Sequence, residues 1–223
     1  MGYIIAIDGP AGAGKSTVAR RVAIATGFTY LDTGAMYRTI ALHVRREGIS
    51  VDEEVRIVEL ANRVRISFSP LGADETQRVF SDEEEITSLI RTPDMSEITS
   101  QIASLGALRK VVVELQRDMA AAGERGVVLE GRDIGTVVFP NADLKIFLTA
   151  SVEERSRRRL QELLTKGAKA DSEAIRREII ERDARDSGRK ESPLKRAEDA
   201  HEVVTDGLTI DEAVKRILEL CRK

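Results

Sequence analysis

The residues Gly9-Pro10-Ala11-Gly12-Ala13-Gly14-Lys15-Ser16 carry the types and spacing that hold phosphate. They fit G-x-x-x-x-G-K-[ST], a loop that joins a buried strand to a helix. Its glycines let the backbone curl until successive N–H groups face inward at phosphate oxygens. Lys15 would add a point charge toward the β- and γ-phosphates, and Ser16 a hydroxyl for Mg²⁺. The helix that follows would turn its positive end to the same spot. The flanks agree with this. Tyr3-Ile4-Ile5-Ala6-Ile7 is an apolar run of the fully covered, parallel-strand kind, and Val18, Val22 and Ala25 recur at helical spacing. A glycine-rich turn with a surface lysine would need neither flank, so nucleotide binding is expected.

A second set of residues is basic. Arg155, Arg157, Arg158 and Arg159 crowd one segment, and Arg182, Arg185 and Arg189 repeat at helical intervals with Asp186 and Gly188 among them. Taken singly, most suit a solvated helix balanced by Glu153, Glu154, Asp183 and Asp186. Taken together they suit phosphoryl transfer between two anions. That reaction needs repulsion cancelled and little covalent chemistry, and arginine offers a fork matched to phosphate oxygens. Two polar turns add to the set. Asp32-Thr33-Gly34-Ala35-Met36-Tyr37-Arg38 leads into a helix with Arg38 one turn in. Gly131-Arg132-Asp133-Ile134-Gly135-Thr136 follows the buried-type strand Val127–Glu130, at the strand end where open α/β sheets place ligands.

The elements that must position these groups alternate. After the first helix, Phe28–Leu31 reads as a strand, the next helix runs to about Glu47, and a third runs from about Asp52 to Asn62. Alternation at Val64, Ile66 and Phe68, a turn at Pro70-Leu71-Gly72, then Val79 and Phe80 predict a small antiparallel hairpin with the acidic run Ser81–Glu85 as a solvated face. A helix starts near Pro93, and a longer one presents Leu108, Val111, Val112, Leu115 and Met119 as a core stripe. Leu144–Leu148 is a strand, with Ser151 and Glu154 as a capping box for the helix after it. Two helices with a loop at Thr165–Asp171 are expected between Arg155 and Arg196. A short strand at Val203–Thr205 follows. The last helix is capped by Thr209 and Glu212, with Ile210, Ala213, Val214, Ile217, Leu218 and Cys221 on its inner face. His43 and His201 are read as structural.

With 223 residues, 42% of them hydrophobic, the chain can bury its own core without staples. A net charge of −3 argues against a general binder of nucleic acid or membranes. No apolar run nears the length of a membrane span, and the N-terminus lacks the pattern of a signal peptide. One cysteine fits a reducing cytoplasm. A GTP-hydrolysing switch is disfavoured by the absence of an Asn-Lys-x-Asp motif, and an RNA-binding domain by aromatics at only 4%.

Ile7–Ser16, Asp32–Arg38, Gly131–Pro140 and Glu181–Arg189 together make the chain similar to the bacterial-type cytidylate kinases over nearly its full length. The first motif is widely shared; the second and third are far more specific. The resemblance implies an α/β P-loop kinase fold: a central parallel sheet flanked by helices, a small monophosphate-binding insert with a short antiparallel sheet, and an arginine-rich lid. It implies one domain over 1–223, with a core of about 1–63, 87–150 and 190–223, an insert of about 64–86 and a lid of about 153–187. The implied reaction moves the γ-phosphoryl group of ATP to CMP or dCMP with Mg²⁺, in the cytoplasm, by a monomer that binds only small nucleotides. Under it, Gly9, Pro10, Ala11, Gly12, Ala13, Gly14, Lys15, Ser16 and Thr17 hold ATP, with Arg157 and Arg158 from the lid, and Ser16 meets the metal. Lys15, Arg132, Arg158 and Arg182 are the expected catalytic set. Thr33, Arg38, Ser100, Arg109, Arg132, Asp133, Arg182, Asp186 and Arg189 would hold the monophosphate, with Ser96 and Ser104 as neighbouring candidates for the place given to Ser100. Asp133 suits cytosine because a carboxylate accepts from its N4 amine, where uracil offers only an oxygen. A UMP or AMP kinase of the same fold is the nearest alternative.

Overall fold

The computed structural model describes residues 2–165, 167 and 170–221. Part of the loop expected at Thr165–Asp171 and the two ends of the expected core therefore lie outside the described residues. The elements in chain order are β1 (Tyr3–Asp8), α1 (Lys15–Thr26), β2 (Thr29–Asp32), α2 (Thr33–Arg46), α3 (Glu54–Arg63), β3 (Ile66–Phe68), β4 (Val79–Ser81), β5 (Glu84–Glu85), α4 (Pro93–Ile102), α5 (Gly106–Ala121), β6 (Gly126–Gly131), β7 (Leu144–Thr149), α6 (Val152–Thr165), α7 (Ser172–Ser187), β8 (His201–Val204) and α8 (Ile210–Leu220). Five strands make one sheet in the order β2-β6-β1-β7-β8, and the pairs β1–β7 and β7–β8 are parallel. Ile5 lies opposite Leu144, and Ile146 opposite His201. β1 is buried from Ile4 onward, which is why its sequence is a continuous apolar run with no alternation.

The chain divides into two compact units, Met1–Tyr3 with Ala23–Leu129, and Ile4–Val22 with Glu130–Lys223. The first unit has its own apolar core, in which α2 packs on α3, α4 and α5, and α3 packs on α5. Met36, Ile40, Ile57, Leu60, Ile90, Met95, Ile102 and Leu108 are wholly buried there. The N-terminus of α2 is capped by Asp32, whose Oδ1 accepts from Ala35 N at 2.9 Å. α4 opens on Pro93 at its first turn, behind Thr92 as the cap. In the second unit α6 packs on α7 and β7 on β8. Thr209 and Glu212 close both halves of the expected capping box on α8.

Four local expectations are revised. The hairpin has three strands, because Asp82 takes a left-handed turn (φ 52°) and sends Glu84–Glu85 back along β4. Arg46 holds that return with both fork nitrogens on Glu84, at 2.6 and 2.7 Å. At Ser151 only half of the capping box forms. Its Oγ accepts from Glu154 N, but its own N–H donates to Asp206, and the Glu154 carboxylate goes to Arg157 and Arg158 instead. Ile210 is 43% exposed and leaves the apolar face of α8 to Ala213, Val214 and Ile217. After Asp133 the chain makes one π-helical turn, Ile134–Val138, in place of a plain loop.

Candidate active site

In the second unit the phosphate loop forms as the spacing requires. β1 ends at Asp8, the backbone curls through residues 9–14, and α1 begins at Lys15. Gly9 has φ +152°, and a Cβ there would lie 1.9 Å from the Leu148 carbonyl oxygen of β7, so no side chain fits. Lys15 is 5% exposed, and its Nζ donates to the Pro10 carbonyl at 2.8 Å. Burial, helped by the charges of Arg132 and Arg182 and opposed by Glu130, brings its ammonium pKa down to about 7. Ser16 and Thr17, in the first turn of α1, are half-buried.

Asp8 lies within the first motif but is given no role by it. Its carboxylate accepts from Ile134 N at 2.8 Å and Gly135 N at 2.7 Å, which ties the end of β1 to the π turn. Burial raises its pKa to about 6, assisted by the charge of Asp133 and opposed by those two amides and by Lys15. The turn so anchored carries Arg132 and the buried Asp133 at its start. Arg132 donates through Nε to Asp186 Oδ2 at 2.8 Å, and Arg189 through Nη2 to Asp186 Oδ1 at 2.5 Å. Asp186 is 1% exposed. Although burial opposes its charge, Arg132 and Arg189 hold its carboxyl below the usual range. Arg182, on the same helix α7, adds its charge to the surroundings of Lys15.

The α6 arginines separate by role. Arg157 is exposed and forks onto Glu154 at 2.8 Å through two nitrogens. Arg158 bonds Glu154 at 2.8 Å, Thr205 O at 2.7 Å and Thr205 Oγ1 at 3.0 Å, and reaches the loop at Ala13 O at 3.5 Å. Glu154 is pulled down to about 2, chiefly by Arg157, then by Arg158, against some desolvation. Arg155, grouped in the sequence with Arg157, Arg158 and Arg159 but given no site role there, is buried and donates to Ala150 O, Ala11 O and Asp183. Its spacing of three from Arg158 puts both on one side of α6, the side that meets the loop at Ala11 and Ala13.

The first unit holds Thr33, Arg38, Ser100 and Arg109. Thr33 is buried at the first position of α2, and Arg38 lies further along that helix. Arg91 Nη2 reaches the capping Asp32 at 3.3 Å. Arg109 is 4% exposed, donates to Ala103 O at 2.9 Å, and lies over the Tyr37 ring at 5.6 Å from its centroid. Ser100 is buried with no hydrogen-bond partner for its Oγ among the described residues, whereas Ser96 and Ser104 give theirs to the carbonyls of Thr92 and Gln101. A buried hydroxyl left open is a place for a ligand group, which favours Ser100 of the three.

Among the described residues no group of three or more His, Cys, Asp or Glu could hold a metal ion. Both Asp8 oxygens are taken by amides. The Ser16 hydroxyl, in the first turn of α1, is the kind of oxygen donor that fits a hard cation such as Mg²⁺, which keeps waters and binds through few protein ligands.

The cytidylate kinase family model matches residues 5–223. Over 216 residues the chain is 50% identical to a cytidylate kinase of Carboxydothermus hydrogenoformans, covering 97% of this chain and 96% of that one. Over 219 residues it is 50% identical to a cytidylate kinase of Caldanaerobacter subterraneus subsp. tengcongensis, covering 98% and 94%. A shikimate kinase from Bacteroides thetaiotaomicron superposes with a TM-score of 0.51 at 14% identity over 99% of each chain, a likeness of fold alone. Motif, loop geometry and these similarities agree: the chain belongs to the cytidylate kinase family.

Proposed function

We propose that the chain transfers the γ-phosphoryl group of ATP to CMP or dCMP, giving ADP and CDP or dCDP. The observation that carries this reading is the phosphate loop itself, which curls through residues 9–14 from the end of β1 into α1 and buries Lys15 with its Nζ on the Pro10 carbonyl at 2.8 Å. Family membership supplies the acceptor. The amides of residues 9–14 and the Lys15 ammonium bind and orient the ATP phosphates, with Thr17 beside them. Lys15, Arg132, Arg182 and Arg158 hold the charge that develops on the transferred group, and that is most of the catalysis in phosphoryl transfer. When bound, Mg²⁺ would meet Ser16 and neutralise charge on the β- and γ-phosphates. Thr33, Arg38, Arg132, Arg182 and Arg189 take the acceptor phosphate, Ser100, Arg109 and Asp133 read cytosine, and Asp186 accepts from ribose hydroxyls.

We assign residues of about 64–86 to the monophosphate-binding insert and about 153–187, with Arg157 and Arg158, to a lid that shields ATP from water. The enzyme would act as a monomer in a reducing cytoplasm. A coupled ADP-release assay with ATP and Mg²⁺ across CMP, dCMP, UMP and AMP tests the reaction. CMP and dCMP should turn over fastest. ADP released with UMP or AMP, and none with CMP, would overturn the assignment.

A further inference from the structure

Arg155 joins the phosphate loop to the lid helices. Its side chain is 4% exposed and makes three bonds: Nη1 to Ala11 O at 3.1 Å, Nη2 to Asp183 Oδ2 at 2.6 Å, and Nε to Ala150 O at 3.0 Å. The first bond fixes a peptide plane. In a trans peptide the N–H points opposite to the C=O, so a guanidinium holding the Ala11 carbonyl turns the Gly12 N–H away from Arg155. Gly12 itself (φ +77°) lies against the stem of Arg155, where an added Cβ would come within 3.3 Å of Arg155 Cβ. The second bond fixes α7. Asp183 Oδ1 is buried with no hydrogen-bond partner among the described residues, so this carboxylate depends on Arg155 for its compensation. One residue before Asp183 comes Arg182, whose charge acts on Lys15, and three residues after it Asp186, which ties Arg132 to Arg189.

We propose that Arg155 is a positioning residue that sets the loop amide at Gly12 for phosphate and, through Asp183, the placement of Arg182 and Asp186 on α7. The inference rests on the reading of residues 9–16 as the ATP cradle. It assigns the two arms of one guanidinium to two separable quantities: the Ala11 arm to affinity for the donor nucleotide, the Asp183 arm to turnover.

Arg155→Lys keeps the charge and loses the fork. Asp183→Asn keeps the Ala11 arm and weakens the other. ADP affinity is read by calorimetry, KM and kcat by the coupled assay, and folding by thermal melting. Arg155→Lys should weaken ADP binding and raise KM for ATP by about tenfold or more, with kcat also reduced, the loss of one bond to a charged donor. Asp183→Asn should cut kcat about tenfold with ADP affinity unchanged, and the double variant should match Arg155→Lys alone. A merely structural arginine would lower the melting temperature and leave ADP affinity and KM of the folded protein where they were; that result overturns the proposal. Should Arg155→Lys fail to fold, Asp183→Asn decides: unchanged kcat overturns the coupling to α7, reduced kcat at unchanged affinity supports it. Wild-type protein that binds no ADP would overturn the underlying reading, and this inference with it.

Discussion

Lys15 sits at odds with its surroundings. Burial and two nearby arginines disfavour its charge against the pull of Glu130 and Asp8, and its Nζ donates to a neutral carbonyl, that of Pro10, at 2.8 Å. Such a group costs stability in the free protein and is kept for what it does to a ligand. Lys15→Met should therefore leave the free protein as stable as wild type or more so in denaturant titration at pH 7. Turnover should fall about 100-fold or more, the scale set by losing one charge-stabilising donor. A variant that melts earlier and still turns over would show Lys15 to be a structural residue. This lysine was legible in the sequence because its motif is local: five residues separate it from Pro10, whose carbonyl it bonds. The partners of Asp8 and Arg155 were not. Each residue acts on a partner more than a hundred residues away, Asp8 on Ile134 and Gly135 and Arg155 on Ala11, and neither pattern announces its partner.

At the scale of elements, β1, α5 and β7, whose periodicity is self-contained, came out where the apolar pattern put them, and α2, α6 and α7 where polar turns, glycines and dense arginine set their limits. Elements that need a distant group did not. The π turn exists because the Asp8 carboxylate takes two successive amides, and β5 because Arg46 grips Glu84. The Asp8 clamp has a pH signature. Its pKa in the folded chain is about 6, above the ordinary value of 3.8, so the folded state binds the proton more tightly than the unfolded one. The stability it contributes is therefore fully present below about pH 4 and is lost as pH rises through 6. Asp8→Asn should flatten that slope in denaturant midpoints measured at pH 4, 5, 6 and 7. It should also cost about 1–3 kcal/mol, since an amide oxygen can serve one N–H while its NH₂ opposes the other. An unchanged slope in the variant would mean that another group titrates there.

Across the whole molecule, the assigned contacts fall unequally on the two compact units. Ile4–Val22 with Glu130–Lys223 holds the phosphate loop, Arg132, Asp133 and the α6 and α7 arginines; Ala23–Leu129 holds Thr33, Arg38, Ser100 and Arg109. Net charge, −3 over 223 residues, is nearly balanced, so anion binding comes from local placement and not from an overall field. Donor and acceptor should then leave different marks on native-state hydrogen exchange. A ligand at 100 times its Kd stabilises the bound state by about 2.7 kcal/mol, which slows by about 100-fold any amide whose opening expels that ligand. ADP alone should protect residues 9–17 and the start of α6 and leave 33–38 and 100–109 exchanging as in the free protein. CMP alone should protect 33–38 and 100–109. The two patterns would share little of the chain, and together they would protect both units. If ADP slowed 33–38 while 9–17 exchanged freely, donor and acceptor would have been assigned to the wrong residues, whatever the assay showed of the reaction itself.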